Sequence, residues 1–581
     1  MAPPRADASQ YHLTMLRRSL LLVALVATIA RGKELRVPGD YRTIQGAIDA
    51  AAGGDEIVVA AGTYHELLDT AGKKIVVRSS DGPEVTILDG GNLGRAILTA
   101  TRGETLATTI RGFTFQNGRG TITTACGFRN AHLGGAILLL DGGLSIVDCI
   151  FKDNASDDVT TIVAGGAICA CRSDLAIRDS RFDHNDAAYG GAVYYNTPVS
   201  RAATIEHSTF NTNGPNGGAI KGVIAASASV TIVDSTFDRN QGAAGSGIEL
   251  EGFDRATAFV WGATFTGNVA THGGGIYAYM SNSSWLSIAV STFDGSDASF
   301  GAGAFVSITG TATAEVVEST FRNNHASFGG GLFAGAQGSG ARIRVERSRF
   351  TGNEAVSRPD TGIYADGCYT DGLRPNGNGL HYGGGADLRA LNGGSITVVG
   401  CLFAANNAVR GGGAHASSCA GGTVRFVNTT IADNGTSGLH LRQGFPNSAG
   451  DLGSEQISVT NSILYGNGGN QLVTESGSLG GTPAVEYSDV QSGFPGRGNF
   501  DAPPGFAAPQ ARDYRLTNGS PCIDAGNNGA IEPGVRIDLA SGPRFVDDPQ
   551  TPDRGLGASP VVDLGAFEFQ LAPRRRAAGR P

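Results

Sequence analysis

Charged residues that could carry acid–base chemistry recur along the middle of the sequence. A polysaccharide lyase needs a base, often Lys or Arg, and a cation or basic residue that neutralises a uronate carboxylate, whereas a glycosidase needs paired carboxylates. The candidates for these roles are Lys221, Glu249, Glu251, Asp387 and Arg389. Lys221 and Glu249 are one repeat apart, so a surface ion pair between them is the simpler interpretation. The residues therefore leave catalysis open.

Most of these residues belong to a pattern that follows recurring glycine pairs. The third and fifth residues after the first glycine are apolar, as in Ile248 and Leu250. Because alternate residues of a strand point to opposite faces, the fourth and sixth residues should face outward. The fourth positions are Tyr194, Lys221, Glu249, Tyr277, Phe305, Phe333, Asp387 and His415. The sixth positions are Asn196, Glu251, Tyr279, Ser307, Arg389 and Ser417.

Strands of neighbouring repeats would lie ~4.8 Å apart, so these positions predict one continuous outward strip. Aromatic rings can stack on sugar faces, and charged groups can hydrogen-bond hydroxyls or uronates, which suits an extended polysaccharide. The ligand-binding candidates of this strip are Tyr194, Tyr277, Tyr279, Phe305, Phe333 and His415. The alternative is a solvated sheet face, because β propensity alone enriches Tyr and Phe.

One long insertion lies beside the strip. The chain passes from Asn268 to Gly273 in five residues, whereas from Asn353 to Gly383 it takes 30. Long insertions on a rigid repeat often carry binding function. The binding candidates within it are Tyr369, Arg374 and His381. A tolerated surface loop is the alternative interpretation.

Cysteines and acidic residues give weaker signals. Eight cysteines are present, and Cys126 and Cys368 each fall in a larger insertion that a disulfide could staple. Cys149 and Cys401 share an inward column, so that buried thiols and disulfides are both open for them, and the pair Cys169 and Cys171 lacks the spacing partners of a zinc site. An acidic C-terminal set could bind Ca²⁺, although turn formation also explains it: Asp524, Asp538, Asp547, Asp548 and Asp563. We expect no cofactor, with Ca²⁺ as the alternative.

Two repeated tetrapeptides indicate the elements that position these side chains. A Phe-x-x-Asn series recurs in steps of 28, 27, 28, 28, 28 and 29 residues from Phe182, and glycine-rich tetrapeptides such as Gly-Gly-Ala-Ile interleave with it. Short β-branched stretches with a period of two lie between them, without a helical pattern. Such units are typical of a parallel β-helix. The repeated Asn should sit at a turn, in the left-handed conformation, and form a structural ladder.

Composition and charge exclude several classes of protein. The chain has 581 residues, 88 of them Gly, with 40% hydrophobic and 17% charged residues, which is too apolar for a disordered protein. A net charge of −9 gives no electrostatic footprint for nucleic acid. Arg17 and Arg18 precede an apolar run, Leu20 to Ala30, that is typical of a signal peptide. The helical spacing of four apolar residues predicts a short amphipathic helix that caps the first coil, with Ile44, Ala47, Ile48 and Ala51 on its buried face.

Three segments resemble known families. Residues 37–49 and 54–66 resemble the opening of pectin-lyase-like right-handed β-helix proteins, and the Gly-Gly-Ala-Ile and Phe-x-x-Asn repeats are similar to those of polymorphic outer-membrane proteins. Residues 520–526 and 562–568 resemble the choice-of-anchor module of exported bacterial β-helix proteins. We expect neither the membrane barrel of the outer-membrane relatives nor an anchoring segment, so that surface retention and free secretion both remain open. Three motifs familiar from β-helix hydrolases and epimerases are missing: Gly-His-Gly, Asn-Thr-Asp and Asp-Pro-His.

The sequence thus predicts an all-β, right-handed parallel β-helix with about 28 residues per coil and a short capping helix. The predicted divisions are a signal region (1–31), the β-helix (32–492), a choice-of-anchor-like module (493–570) and a basic tail (571–581). We expect a secreted or cell-surface monomer that binds a polysaccharide or surface glycan, without nucleic acid and without a transmembrane segment. A uronate-specific polysaccharide lyase and a purely structural surface protein are the alternatives.

Overall fold

The computed structural model describes residues 32–91, 94–154, 163–356, 381–445, 456–476 and 481–571. The predicted signal region, Cys368, Tyr369, Arg374 and nearly all of the predicted tail lie outside these ranges. The chain divides into two units, Met1–Thr292 and Phe293–Pro581. Among the described residues, no helix is both long and apolar enough to cross a membrane.

Both units contain right-handed-type parallel β-helix coils, and the predicted fold class is confirmed. About 13 turns follow one another at intervals of about 28 residues over the described chain. Each regular coil contributes one strand to each of three parallel sheets, which we call sheets 1, 2 and 3. After its glycine-rich corner, a coil passes through sheet 3, then sheet 1 and then sheet 2.

In the first unit, the strands of sheet 1 are Glu34–Val37, Glu56–Val59, Val76–Ser79, Thr109–Arg111, Gly143–Val147, Asp174–Arg178, Ala202–Glu206, Ser229–Val233, Thr257–Trp261 and Trp285–Ala289. Those of sheet 2 are Gly62–Tyr64, Thr86–Asp89, Thr114–Gln116, Ile150–Lys152, Arg181–Asp183, Thr209–Asn211, Thr236–Asp238 and Thr264–Thr266. Those of sheet 3 are Leu68–Asp69, Leu98–Ala100, Ile137–Leu140, Ile168–Cys171, Val193–Thr197, Ile220–Ile224, Ile248–Gly252 and Ile276–Met280.

In the second unit, sheet 1 contains Thr313–Val317, Arg342–Glu346, Ser395–Val399, Thr423–Val427, Gln456–Thr460 and Ala484–Glu486. Sheet 2 contains Thr292–Asp294, Thr320–Arg322, Arg349–Thr351, Leu402–Ala404, Thr430–Ala432, Ile463–Tyr465 and Asp489–Val490. Sheet 3 contains Ala304–Thr309, Leu332–Gln337, Ala386–Leu391, Ala414–Cys419, Leu439–Phe445 and Leu472–Ser476.

Smaller elements lie outside these three sheets. They are the strands Thr121–Thr123, Ala131–Leu133 and Val163–Ala164, the strands His325–Ala326, Glu354–Ala355 and Asn407–Ala408, the antiparallel pair Phe506–Ala508 and Asp513–Leu516, the helix Ile44–Ala50, and two 3₁₀ turns, Pro509–Ala511 and Asn528–Ala530.

The helix Ile44–Ala50 begins at a side-chain cap and buries the predicted face. The Thr43 hydroxyl accepts a hydrogen bond from the Gly46 amide, which satisfies one of the free N–H groups at the helix start. Ile44, Ala47 and Ile48 are fully buried. The predicted amphipathic helix is confirmed.

Stacked phenylalanines fill the corner of the core behind sheet 2. In the first unit, the rings of successive coils from Phe115 to Phe265 stack with centroids 4.6–4.9 Å apart. In the second unit, the rings from Phe293 to Phe403 stack at 4.5–4.8 Å. These spacings match the distance between neighbouring strands, so that each coil places its ring directly on the ring of the next.

The asparagines of the Phe-x-x-Asn series form a buried amide ladder. Asn406 is representative: its Nδ2 donates to the Phe350 carbonyl (2.9 Å) and to Asn434 Oδ1 (3.0 Å). Its Oδ1 accepts from both the backbone amide and the Nδ2 of Asn353, at 3.0 and 2.9 Å. At the last rung, Asn467 donates to Gln471 Oε1 (2.6 Å), a residue of its own coil. The predicted structural ladder is therefore present.

The left-handed residue of each corner is not the Asn, as predicted, but the residue before it. His184, Thr212 and Arg239 have φ of 52°, 53° and 51°, and each precedes a ladder Asn. The buried serines form a second corner of the same kind, where His207 (φ 47°) precedes Ser208. A residue that is exposed or half-buried takes the left-handed backbone, while the buried side chain after it closes the turn with hydrogen bonds.

The glycine-rich corner needs glycine for two reasons. Gly273 has φ of +61°, and a Cβ placed there would lie 2.1 Å from the Ile276 carbonyl oxygen. Neither the backbone conformation nor the space admits a side chain. This corner leads directly into the sheet 3 strand Ile276–Met280 and fixes its register.

The amide ladder predicts a large difference between two adjacent asparagines. Asn406→Ala should lower the free energy of unfolding by roughly 3 kcal/mol or more, because it leaves several buried donors and acceptors unpaired. Asn407→Ala is the matched control, because Asn407 is exposed. Urea denaturation followed by circular dichroism measures both, and equal losses in the two variants would contradict a structural role of the ladder.

Candidate functional site

Sheet 3 places the outward residues of the first unit in two columns, as the alignment predicted. Tyr194, Lys221, Glu249 and Tyr277 are successive neighbours in register, and Glu251 lies beside Tyr279. The strand before them adds Cys169 next to Tyr194. We call Lys221, Glu249, Glu251, Tyr277 and Tyr279 the unit 1 strip.

Lys221 is the centre of an ion-pair cluster in this strip. Its Nζ lies 2.6 Å from Glu249 Oε1 and 3.0 Å from Glu251 Oε1, and 5.2 Å from the centroid of the Tyr189 ring. Burial of the Glu249 carboxyl raises its pKa, although Lys221 acts in the opposite direction. The ion pair expected from the sequence is present, but it is largely buried, since Lys221 is 9% exposed. A lysine held by two carboxylates is a poor general base.

Tyr277 and Tyr279 are the accessible aromatic residues of the strip. Both are half-buried, in contrast to the inward Ile276 and Ala278 on the same strand. The His272 ring meets Tyr277 edge-on at 6.3 Å, and the Phe253 ring lies 6.1 Å from Tyr279. The strip thus presents two tyrosines beside a pair of glutamates.

Tyr194 is covered by the insertion that contains Cys126. Phe128 lies 5.5 Å from the Tyr194 ring, and Cys126 forms a disulfide with Cys171. The Tyr194 hydroxyl accepts a hydrogen bond from Asn196 Nδ2 (2.9 Å). Tyr194 is only 4% exposed, so its ring packs against protein in this structure. The sequence indicated that Cys126 could staple an insertion but did not reveal that the insertion folds over Tyr194.

Two of the remaining cysteines, Cys149 and Cys401, are in one of the states that the sequence left open for them. Cys149 and Cys401 are buried free thiols, and burial raises the pKa of each to about 12. Cys169 is also a buried free thiol, with its Sγ 3.6 Å from that of Cys126.

In the second unit, sheet 3 continues the pattern with a denser set of polar groups. Phe305 and Phe333 are neighbours in register, followed by Asp387, His415 and His440. The adjacent column contains Arg389, Ser417 and Arg442. His440 was missed in the sequence because a single glycine, Gly438, precedes its strand where other coils have two or three.

Asp387 is the hub of this second set. Its Oδ1 lies 2.8 Å from His415 Nδ1, and its Oδ2 accepts from Arg389 Nη2 at 2.7 Å. Burial alone would raise the pKa of Asp387, but Arg389 and His415 outweigh it and lower the pKa to about 2. Arg389 also lies 4.8 Å from the centroid of the Phe333 ring. The carboxylate is therefore ionised and neutralised within the protein.

A second group of charges lies next to Asp387. The His415 ring is 4.6 Å from the Tyr382 ring and 5.2 Å from the His440 ring. His440 Nε2 is 3.2 Å from Glu475 Oε1, which also pairs with Arg410 at 2.5 Å. Burial, followed by the proximity of His415, lowers the pKa of His440 to about 4. His440 is thus neutral at pH 7.

In the second unit, the outward residues of sheet 3 form a packed layer and not an open surface. Asp387 and His415 are 0% exposed, and Phe305 and Phe333 are each 8% exposed. His381 is also largely buried, and burial lowers its pKa. His415 Nε2 has no hydrogen-bond partner among the described residues. The expectation of a solvent-facing strip thus fails in the second unit, because rings such as Phe300, Phe328 and Tyr382 pack beside it.

Comparison with known proteins gives fold-level similarity only. No family model matches the chain, and no curated protein matches it. Among solved structures, PfbA, a surface adhesin of Streptococcus pneumoniae, is 13% identical and matches 77% of this chain and 93% of its own, with a TM-score of 0.38. Tailspike protein 3 of bacteriophage CBA120 is 10% identical, matches 85% of this chain and 70% of its own, and has a TM-score of 0.35. The pectate lyase Pel9A is 13% identical, with coverage of 93% and 96% and a TM-score of 0.22.

The Asp387 cluster predicts a large stability loss when its carboxylate is removed. Asp387→Asn should lower the free energy of unfolding by about 3–5 kcal/mol at pH 7, because it leaves Arg389 buried without its countercharge. The matched control is Asp294→Asn, which breaks a more exposed pair with Arg322 and should cost less than about 1 kcal/mol. Chemical denaturation measures both variants.

The effect of Asp387→Asn on stability should also depend on pH. The pKa of Asp387 is lowered on folding, so its stabilising effect is present above the unfolded pKa of about 3.9 and is lost as the pH falls towards about 2. The stability difference between Asp387→Asn and the parent protein should therefore shrink between about pH 4 and pH 2. A difference that stays constant over this range would contradict the assigned ionisation.

Proposed function

We propose that the protein is a secreted or cell-surface, adhesin-like protein that binds an extended glycan along the unit 1 strip. The observation that carries this proposal is the pair of half-buried tyrosines, Tyr277 and Tyr279, in register with Glu249 and Glu251 on the neighbouring coil. Rings that are fixed on a rigid strand lose little conformational freedom when a ligand stacks on them. Carboxylates beside the rings can accept hydrogen bonds from sugar hydroxyls.

The net charge of the unit 1 strip favours binding of some classes of glycan over others. Two carboxylates face one ammonium group at Lys221, which leaves the strip with an excess of one negative charge when all three are ionised. A uronate polymer would bring further negative charge next to Glu251, whereas a neutral or amino-sugar polymer would not. We therefore expect neutral and amino-sugar glycans to bind better than uronates.

The proposal predicts a loss of binding that is confined to one face. Tyr277→Ala combined with Tyr279→Ala should reduce retention on a glycan array at least tenfold, because ring–sugar stacking contributes about 1–3 kcal/mol by analogy with other aromatic contacts. The double variant should keep the parent circular dichroism spectrum, since neither ring belongs to the inward core.

The matched control for this double variant is Phe259→Ala. Phe259 is a half-buried aromatic on sheet 1 of a neighbouring coil, where its ring stacks against Trp285 at 6.5 Å. Unchanged retention of the tyrosine variant would dismiss the proposed site. Loss of binding in Phe259→Ala alone would assign the glycan to sheet 1 instead.

A polysaccharide lyase remains the second candidate, and one observation favours it. Asp387 orients His415 through Nδ1, and the second ring nitrogen has no hydrogen-bond partner among the described residues, as in a poised general base. The burial of both residues counts against this role, because a substrate cannot reach them in the conformation described. Lys221 and Arg389, the basic residues expected from the sequence, are each held in ion pairs.

Incubation with uronate polysaccharides distinguishes the two candidates. We expect no rise in the ultraviolet absorbance of unsaturated products, because the basic groups are neutralised within the protein. A rise that His415→Ala, Lys221→Ala or Arg389→Ala abolishes, in variants that retain the parent circular dichroism spectrum, would instead establish lyase activity.

A further inference from the structure

The two C-terminal motif segments meet in one buried acidic centre. Residues 520–526 and 562–568 are joined by the hydrogen bond from the Asp524 amide to Asp563 Oδ1 (2.8 Å). Asp563 Oδ2 accepts from the Phe569 amide at 2.6 Å, and Glu568 accepts from the Val546 amide at 3.0 Å. Asp538 holds three more backbone amides, those of Ala540, Gly542 and Glu568. Arg544 is buried next to them. These carboxylates have structural partners.

Asp524 differs from the other buried carboxylates. Its Oδ2 accepts one long hydrogen bond, from the Asp548 amide at 3.3 Å. The residue is 0% exposed, and its Oδ1 has no hydrogen-bond partner among the described residues. A buried carboxylate oxygen without a donor is costly unless an ion or another ligand contacts it.

Two exposed carboxylates, Asp547 and Asp553, lie close to the Asp524 carboxylate. One oxygen each of Asp524, Asp547 and Asp553 lies within 4.8 Å of the others. Ca²⁺ binds oxygen at about 2.3–2.6 Å, so oxygens on opposite sides of one ion are about 4.6–5.2 Å apart. All three carboxylates can therefore contact a single Ca²⁺, with water completing the shell on the exposed side. Mg²⁺, at about 2.0–2.1 Å and with strict octahedral geometry, fits so open a set less well.

We propose that Asp524, Asp547 and Asp553 form a Ca²⁺ site that ties the segment 547–553 to the C-terminal core. Of the acidic set singled out in the sequence, Asp524 and Asp547 belong to this site, and Asp553 joins them. The carboxylates of Asp538 and Asp563 accept hydrogen bonds from backbone amides. The Asp548 carboxylate accepts hydrogen bonds from the Gln550 amide and the Thr551 hydroxyl of its own turn. The site is independent of the glycan-binding proposal.

The electrostatics of the site agree with a missing positive charge. Burial, the largest cause, and the charges of Asp553, Asp547 and Asp548 together raise the pKa of Asp524 to about 6, although the hydrogen bond from the Asp548 amide acts in the opposite direction. Among the described residues, no Lys or Arg lies within 4.0 Å of the three carboxylates as an ion-pair partner. The Asp524 carbonyl oxygen accepts hydrogen bonds from the Arg554 and Gly555 amides, at 2.9 and 3.0 Å, which holds the segment in place from its other end.

The test is calorimetric titration of the full chain with CaCl₂ after treatment with a chelator. We expect one ion per chain with a dissociation constant of about 10⁻⁴ to 10⁻³ M, as in other extracellular modules, and clearly weaker binding of MgCl₂. Asp553→Asn and Asp547→Asn should each weaken Ca²⁺ binding at least tenfold, and both residues are exposed, so that the variants should fold. Asp513→Asn is the charge-matched control, because that carboxylate is paired with Arg515, and it should bind as the parent does.

A measurement of thermal stability completes the test. Millimolar Ca²⁺ should raise the melting temperature of the parent protein but not that of Asp553→Asn. Absence of saturable binding at millimolar Ca²⁺, or equal affinity in Asp553→Asn and Asp513→Asn, would overturn the proposal, and equal binding of Mg²⁺ would overturn the choice of ion.

Discussion

The stacking of each coil on the next in strict register is the constraint on which the other features depend. Backbone hydrogen bonds between parallel strands supply most of it, but parallel strands alone can slip by two residues without changing the face of any side chain. The buried corner residues remove that freedom. An Asn such as Asn406 binds the coil on either side through one amide group, so a slipped coil would lose several buried hydrogen bonds together.

Register on the inside imposes register on the outside. Once the inward residues are aligned, every outward residue has a fixed neighbour one coil away, at about 4.8 Å. Like charges at that distance would repel, and the observed clusters avoid this by pairing opposite charges: Lys221 binds two glutamates of the next strand, and Arg389 binds Asp387 of its own strand. Where the outer face is covered, such columns behave as a second, polar core. Where it is accessible, as at Tyr277, the same alignment presents a row of groups with a constant spacing.

The sequence predicted the features that a periodic pattern reports and missed those that depend on a single contact. Coil length, the inward columns and the alignment of Tyr277 with Glu249 follow from the 28-residue repeat, and the capping helix follows from the helical spacing of its own apolar residues. The predicted corner conformation was wrong by one residue, because the left-handed backbone falls on the residue before each Asn, and the type of that residue varies from coil to coil. Exposure could not be predicted either. Phe128 covers Tyr194 by a contact between residues distant in sequence and without periodicity. Asp553 was missed for a similar reason, since the fold alone brings it to Asp524 and Asp547. His440 was missed because the glycine signal before its strand is reduced to Gly438.

The amide ladder also has a direction. Ser296 interrupts the Asn series, and only its backbone amide donates to the next rung, at Asn324 Oδ1. From Asn353 to Asn434, each Asn offers its Oδ1 to the preceding coil and takes one from the following coil, so these rungs present the same pair of groups to their neighbours. Asn467, which has no further rung to bind, takes its acceptor from Gln471 of its own coil, whose longer side chain reaches the place of the next Asn. A whole coil could therefore be inserted or deleted between Asn324 and Asn467 without altering the hydrogen bonds at either junction, whereas a ladder that continued past Asn467 would require Gln471 to be replaced. Gln471 thus ends the amide ladder, although the strands Leu472–Ser476, Ala484–Glu486 and Asp489–Val490 follow it. Changes in the length of the ladder are therefore expected in units of complete coils.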